Sequence, residues 1–259
     1  MVPMTSPVQN FADAPTVGLL DYSILNCSLK DLKFDSKCLV NTINQYSYVA
    51  AQKDDDFRKA LVESDVLLAD GIGIVAALKL LKGKSVKKIA GADLHQYLLE
   101  KLNKEGGRCF YLGSKQSTLN AIRERLNREY PNVKVGLYSP PFKPQFTDEE
   151  NAEMIQTVNA FKPNVLFVGM TAPKQEKWSH LHKEQLDTNI ICPIGAVFDF
   201  YAETIKRPSQ FWINMGLEWF VRLVKEPKRM SKRYLYYGPV FGYELLKLKL
   251  HDIFYKKAL

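Results

Sequence analysis

Apolar and polar positions along residues 1–200 follow two rhythms. Short aliphatic and β-branched runs at Cys38–Ile43, Val66–Ala69, Arg108–Leu112, Val133–Leu137, Val165–Val168 and Ile190–Ile194 read as strands buried on both faces. Between them apolar residues recur every three or four positions, which predicts helices near 45–63, 73–82, 93–105, 115–130, 147–161 and 174–187. Strands that alternate with helices of this length need crossover connections. The fold class expected is therefore α/β, a mainly parallel sheet with helices on both faces. Ser139-Pro140-Pro141-Phe142 breaks the pattern as a stiff loop.

The texture changes after Arg207-Pro208. Residues 209–225 predict an amphipathic helix rich in Trp and Phe, and Glu226-Pro227 predicts its break. The remainder interleaves Lys and Arg with Tyr234, Tyr236, Tyr237, Phe241, Tyr243, Phe254 and Tyr255. Three parts are expected: a loose leader over 1–16, an α/β core over 17–205, and a basic aromatic appendage over 206–259.

Composition sharpens that division. The 259 residues carry 36 Lys and Arg against 28 Asp and Glu, a net charge of +8. The last 59 residues alone hold twelve basic against five acidic residues, so nearly all of the excess sits in the appendage. An anionic partner is expected there: phosphate, nucleic acid or an acidic lipid surface. Rings beside ammonium groups suit a water–lipid boundary. A helical hairpin packed on the core with a solvated basic face is the alternative. No apolar run reaches the roughly 18 residues of a membrane-spanning helix. The start lacks the basic and apolar regions of a secretion signal. Cys27, Cys38, Cys109 and Cys192 are widely spaced and read as reduced thiols of an intracellular protein.

Ligands of open α/β sheets bind at the carboxyl ends of strands. Three stretches fall there: Asn41-Thr42-Ile43-Asn44, Ala69-Asp70-Gly71-Ile72-Gly73, and the run from Gly169 to Glu176. Asp70 leaves a buried strand, where desolvation raises a carboxyl pKa and suits it to take a proton. The same residue reads first as an N-cap for the helix opened by Gly71, a role compatible with the other. Ala76 stands where a dinucleotide fingerprint needs glycine, which excludes an NAD site. Asp54-Asp55-Asp56 reads as first-turn helix acids rather than a metal pair. His180 and His182 point to different helix faces. Arg222, embedded in the apolar run LEWFVRLV, needs a partner, and Arg229, Lys232 and Arg233 follow closely. Converging guanidiniums chelate diphosphate and can replace a divalent cation on a departing one.

The blocks ADGIG, AGADL, YLGS, VGMTAPKQEKW, IGAVFDF and GLEWFVRLVKEPKR, in this order, resemble the WecG/TagA/CpsF glycosyltransferases, glycosyltransferase family 26. The resemblance spans roughly residues 16–235. It implies a metal-independent inverting enzyme with a Rossmann-like core and a C-terminal appendage. It also implies that a sugar passes from a UDP-sugar to a polyprenyl-diphosphate-linked saccharide at the cytoplasmic face of the membrane, for a surface polysaccharide. By similarity Asp70 is the base, Thr42 and Asn44 orient a sugar, and Gln175 lines the pocket. Arg222 and Arg229 would hold the UDP diphosphate, with Arg233 substituting where Lys232 replaces an arginine. Gly71, Gly73, Lys174 and Arg207 are counted with the substrate-binding set. No cofactor is expected.

The competing class is a basic nucleic-acid-binding protein, which the calculated pI of 9.1 would also suit, although no RNA-binding motif is present. A non-catalytic membrane scaffold is the third reading, and a homo-oligomer is compatible with each. The donor sugar stays open among N-acetylmannosamine, its uronic acid and glucose.

Overall fold

The computed structural model describes residues 9–34, 36–205, 208–209, 211–212, 215 and 217–257. Strands β5 (Cys38–Ile43), β6 (Val66–Ala69), β7 (Arg108–Gly113), β8 (Lys134–Tyr138), β9 (Val165–Gly169) and β10 (Ile190–Pro193) lie within a residue of the six apolar runs. They join β2 (Thr16–Leu19) and β3 (Tyr22–Leu25) in one sheet of order β2-β3-β6-β5-β10-β9-β7-β8. Only the β2–β3 hairpin is antiparallel, and Leu20 turns it at a φ of 54°.

Period-two alternation divides each strand between two helical layers. In β5, β7, β9 and β10 the residues Cys38, Tyr111, Phe167 and Cys192 face one core, whereas Leu39, Phe110, Leu166 and Ile191 face another. The first layer is α4 (Gly91–Glu105), α5 (Gln116–Glu129) and α8 (Gly195–Tyr201). On the opposite face lie α1 (Gln45–Ala51), α2 (Asp55–Val62), α3 (Ile72–Lys82), α6 (Asp148–Phe161) and α7 (Lys174–His182).

Three expectations need correction. The helix expected over 45–63 is two helices, because Asp54 starts a new one by accepting the Phe57 N–H at 3.0 Å. The leader expected over 1–16 takes structure from Gln9. There β1 (Gln9–Asn10) pairs with β4 (Leu32–Lys33), and Phe11 is buried against Phe34. In the stretch 209–225, the regular helix α9 starts at Glu218 and runs to Lys225.

The appendage is not separate from the core. After α10 (Pro227–Ser231) and a π-turn over Lys232–Tyr236 comes α11 (Tyr237–Lys257), which packs on α1 and α3. Phe241 and Leu245 are buried in the same cluster as Tyr48 and Ile74. The Tyr48 and Phe241 rings meet edge-on at 5.1 Å between centroids. Cys38, Cys109 and Cys192 are buried and Cys27 half-buried, all as free thiols.

Candidate active site

The chain from β5 crosses over to β6 on one side, while β10 flanks β5 on the other. β10 pairs with β5 only at Cys38 and Leu39, whereas β6 follows β5 from Val40 to Ile43. β6 thus follows β5 further than β10 does, at the point where the winding direction reverses, and it is in the crevice outside such strand ends that ligands of these sheets bind.

Two candidate residues leave adjacent strand ends on the crevice's β6 side. Asn44 and Asp70 each follow directly on the Ile43–Ala69 pair, and the Asp70 N–H donates to the Ile43 carbonyl at 2.9 Å. Asn44 caps α1: its Oδ1 accepts the Ser47 N–H at 3.1 Å, and the Ser47 hydroxyl accepts the Asn44 N–H at 2.7 Å. Thr42 is half-buried opposite Leu68, and its hydroxyl has no hydrogen-bond partner among the described residues.

Asp70 is not the cap of α3. The capping position is Gly71, at a φ of 109°, and no side chain bonds the first turn. The carboxylate is left to its surroundings. Burial and the charge of Glu218 push it up to about 6, against the pull of Arg222, Arg233 and Lys88. Gly71 and Gly73 make room for a residue that the sequence did not single out. A Cβ at Gly73 would lie 2.2 Å from Gln45 Nε2, so the Gln45 side chain already occupies that space.

The appendage supplies the other wall. Glu218 and Arg222 stand one turn apart on α9, and Lys88 pairs with Glu218 at 3.7 Å. The Arg222 guanidinium lies 5.1 Å from the Phe200 ring, and its buried Nε and Nη2 have no hydrogen-bond partner among the described residues. Arg233, presented by the π-turn, lies over Tyr46 at 4.7 Å. Burial and the neighbouring Arg222 both weaken its hold on its proton. Arg233 feels the charge of Arg222, and Arg222 has unmade hydrogen bonds among the described residues, a combination that suits an anion. Arg207 lies outside the described residues, as does the side chain of Arg229.

The third contribution comes from α7, which begins after β9 and the cis Ala172–Pro173 bond. Gln175 is buried; its Oε1 accepts the Gly195 N–H at 3.2 Å and its Nε2 donates to Glu176 at 3.0 Å. Glu176 is buried as well, and burial pushes its carboxyl up to about 7 against the pull of Arg233. Lys174 is directed elsewhere. Its ammonium donates to the Lys143 carbonyl at 2.6 Å and lies 3.5 Å from the Phe146 ring centroid.

Charge interactions thus link Asp70, Arg222 and Arg233 of the expected set with Glu218 and Lys88, and through Arg233 with Glu176 and Tyr46; of these additions the sequence named only Glu176, as the end of a strand-end run and with no role. Glu218 had a legible signal: it precedes Arg222 by one helical turn in GLEW. Asp54 caps α2 and pairs with Lys177 at 3.0 Å, and Asp55 and Asp56 are the first-turn acids. Among the described residues no three His, Cys, Asp or Glu side chains are grouped to hold a metal ion.

A profile of the Glycosyl transferase WecG/TagA/CpsF family matches residues 20–253. The chain belongs to this family. A Bacillus subtilis strain 168 protein, N-acetylglucosaminyldiphosphoundecaprenol N-acetyl-beta-D-mannosaminyltransferase, is 30% identical over 194 residues, 75% of this chain and 74% of its own. The protein of the same name from Bacillus spizizenii strain W23 is 28% identical over 182 residues, 70% of this chain and 69% of its own. Membership makes the chain a glycosyltransferase and sets aside the nucleic-acid reading.

Proposed function

We propose that this enzyme transfers a sugar from a UDP-sugar to a polyprenyl-diphosphate-linked saccharide, with inversion, in the synthesis of a surface polysaccharide. The carrying observation is Asp70 beside the guanidiniums of Arg222 and Arg233. A base that takes the acceptor hydroxyl proton stands next to cations that receive the departing diphosphate. Arg229 and Arg207 join that cation set, and no metal ion is needed. Thr42, Asn44 and Gln175 orient the sugars.

Displacement on an α-linked UDP-sugar yields a β product, in agreement with the "beta" in both relatives' names. Those names also favour N-acetylglucosaminyl-diphosphoundecaprenol as acceptor and N-acetylmannosamine as the sugar moved.

A lipid-linked acceptor needs the enzyme at a membrane. Among the described residues no helix is long and apolar enough to cross one. On α9, Trp219, Phe220 and Val224 are exposed, as are Leu246 and Leu250 on α11. Apolar rings on a basic appendage suit peripheral docking at the inner, anionic face of the cell membrane. Incubation with a panel of UDP-sugars and N-acetylglucosaminyl-diphospholipid, read by product mass and anomeric NMR, tests the reading. A β-linked N-acetylmannosaminyl product supports it; absence of product with every donor contradicts it.

A further inference from the structure

Gln175 is held from two sides. Its Oε1 accepts the Gly195 N–H at 3.2 Å and is pressed against that residue, where an added Cβ would come within 2.4 Å of the oxygen. Its Nε2 donates one hydrogen to Glu176 Oε1 at 3.0 Å. A backbone N–H cannot accept and a carboxyl oxygen can, so the two neighbours fix which end of the amide is oxygen. Besides a second lone pair on the oxygen pressed against Gly195, what Gln175 has left to offer is its second N–H. Glu176 is 5% exposed, and its Oε2 has no hydrogen-bond partner among the described residues. An acid kept in so costly a place serves something other than packing. The charge of Arg233, which also acts on Asp70, reaches it.

We infer that Glu176 is a positioning residue: it fixes the Gln175 amide so that Gln175 meets the bound sugar as a hydrogen-bond donor and selects an acceptor oxygen there. This rests on the proposed sugar transfer and assigns Glu176 no contact with substrate.

The experiment is a double-mutant cycle on acceptor-dependent UDP release. Glu176→Met keeps the volume and removes the accepting oxygen; Glu176→Gln keeps the oxygen and removes the charge. Glu176→Met should lower kcat/KM about 10–100-fold, the usual range for a residue acting behind another, with no loss in Tm. Glu176→Gln should recover most of that loss. In a Gln175→Met background, Glu176→Met should change nothing further, because the residue it positions is gone. The inference is overturned by wild-type kcat/KM in Glu176→Met, by losses that multiply in the double variant, or by Glu176→Gln losing as much as Glu176→Met. Wild-type turnover accompanied by any of these removes the inference alone. Failure of the wild type to turn over removes the transfer reading and the inference with it.

Discussion

The guanidinium carbon of Arg233 lies 4.7 Å from the centre of the Tyr46 ring, which joins the appendage to the first helix after β5. Tyr46 also meets Tyr237 edge-on at 4.9 Å, so one core ring receives both the π-turn and α11. A π-turn projects its side chains in directions an α-helix does not, and such turns are common at functional sites. Here it delivers Arg233 to the side of the crevice where Asp70 stands.

Removing either guanidinium should therefore affect two properties. Arg233→Ala and Arg222→Ala should each weaken UDP inhibition at least tenfold, since a charge-assisted hydrogen bond contributes about 1.5–3 kcal/mol. They should also move the acidic limb of the pH–rate profile upward, because both cations hold the Asp70 carboxyl down. Unchanged UDP inhibition would place the diphosphate elsewhere.

Activity should rise with pH through about 6, where Asp70 becomes a competent base. Asp70→Asn should lower kcat by about 10²–10⁴. Stability should move the other way. An aspartate with a folded pKa of about 6 and an unfolded value of about 3.9 binds its proton more tightly when native. Native stability is lost as pH rises through that window. Asp70→Asn should accordingly melt above wild type at pH 8, with the gap closing toward pH 4. Scanning calorimetry at the two pH values checks it, and a variant less stable at pH 8 would contradict it.

The sequence exposed the sheet more fully than the site. Cys38–Ile43 and Val66–Ala69 were legible because a strand buried on both faces must be a continuous apolar run. The hairpin Thr16–Leu19 and Tyr22–Leu25 escaped because four-residue strands with exposed Thr16 and Ser23 have too little pattern. The break at Gln52-Lys53 was hidden by apolar spacing that continues across it. Asp70 and Arg222 stood out as charges inside apolar runs. Glu176 did not, because an acid in the first turn of a helix already has an ordinary reason to be there. Neither its burial nor the reach of the Arg233 charge from the distant appendage is visible in the residues around it.

Because Phe241 is buried among Tyr48 and its neighbours, α11 belongs to the folded core. Phe241→Ala should cost about 3–5 kcal/mol and lower Tm by about 10 °C. A wild-type Tm would show that α11 is not packed on α1 in solution. Deleting the chain from residue 206 would remove this packing along with the arginines, so point variants separate the two effects.

The exposed face of α9 can be tested without disturbing that packing. Trp219→Ser with Phe220→Ser should leave Tm near wild type while weakening co-sedimentation with phosphatidylglycerol vesicles several-fold. Undiminished sedimentation would mean that another surface meets the lipid.

In the proposed mechanism, Asp70 and the appendage arginines transfer a sugar without a metal ion. Acceptor-dependent UDP release in EDTA, measured for wild type and Asp70→Asn side by side, tests it most directly. Release by the wild type that depends on the lipid-diphosphate saccharide, and is lost in the variant, is the predicted result. Release that appears only on adding Mg²⁺ or Mn²⁺, or that survives Asp70→Asn undiminished, would contradict it.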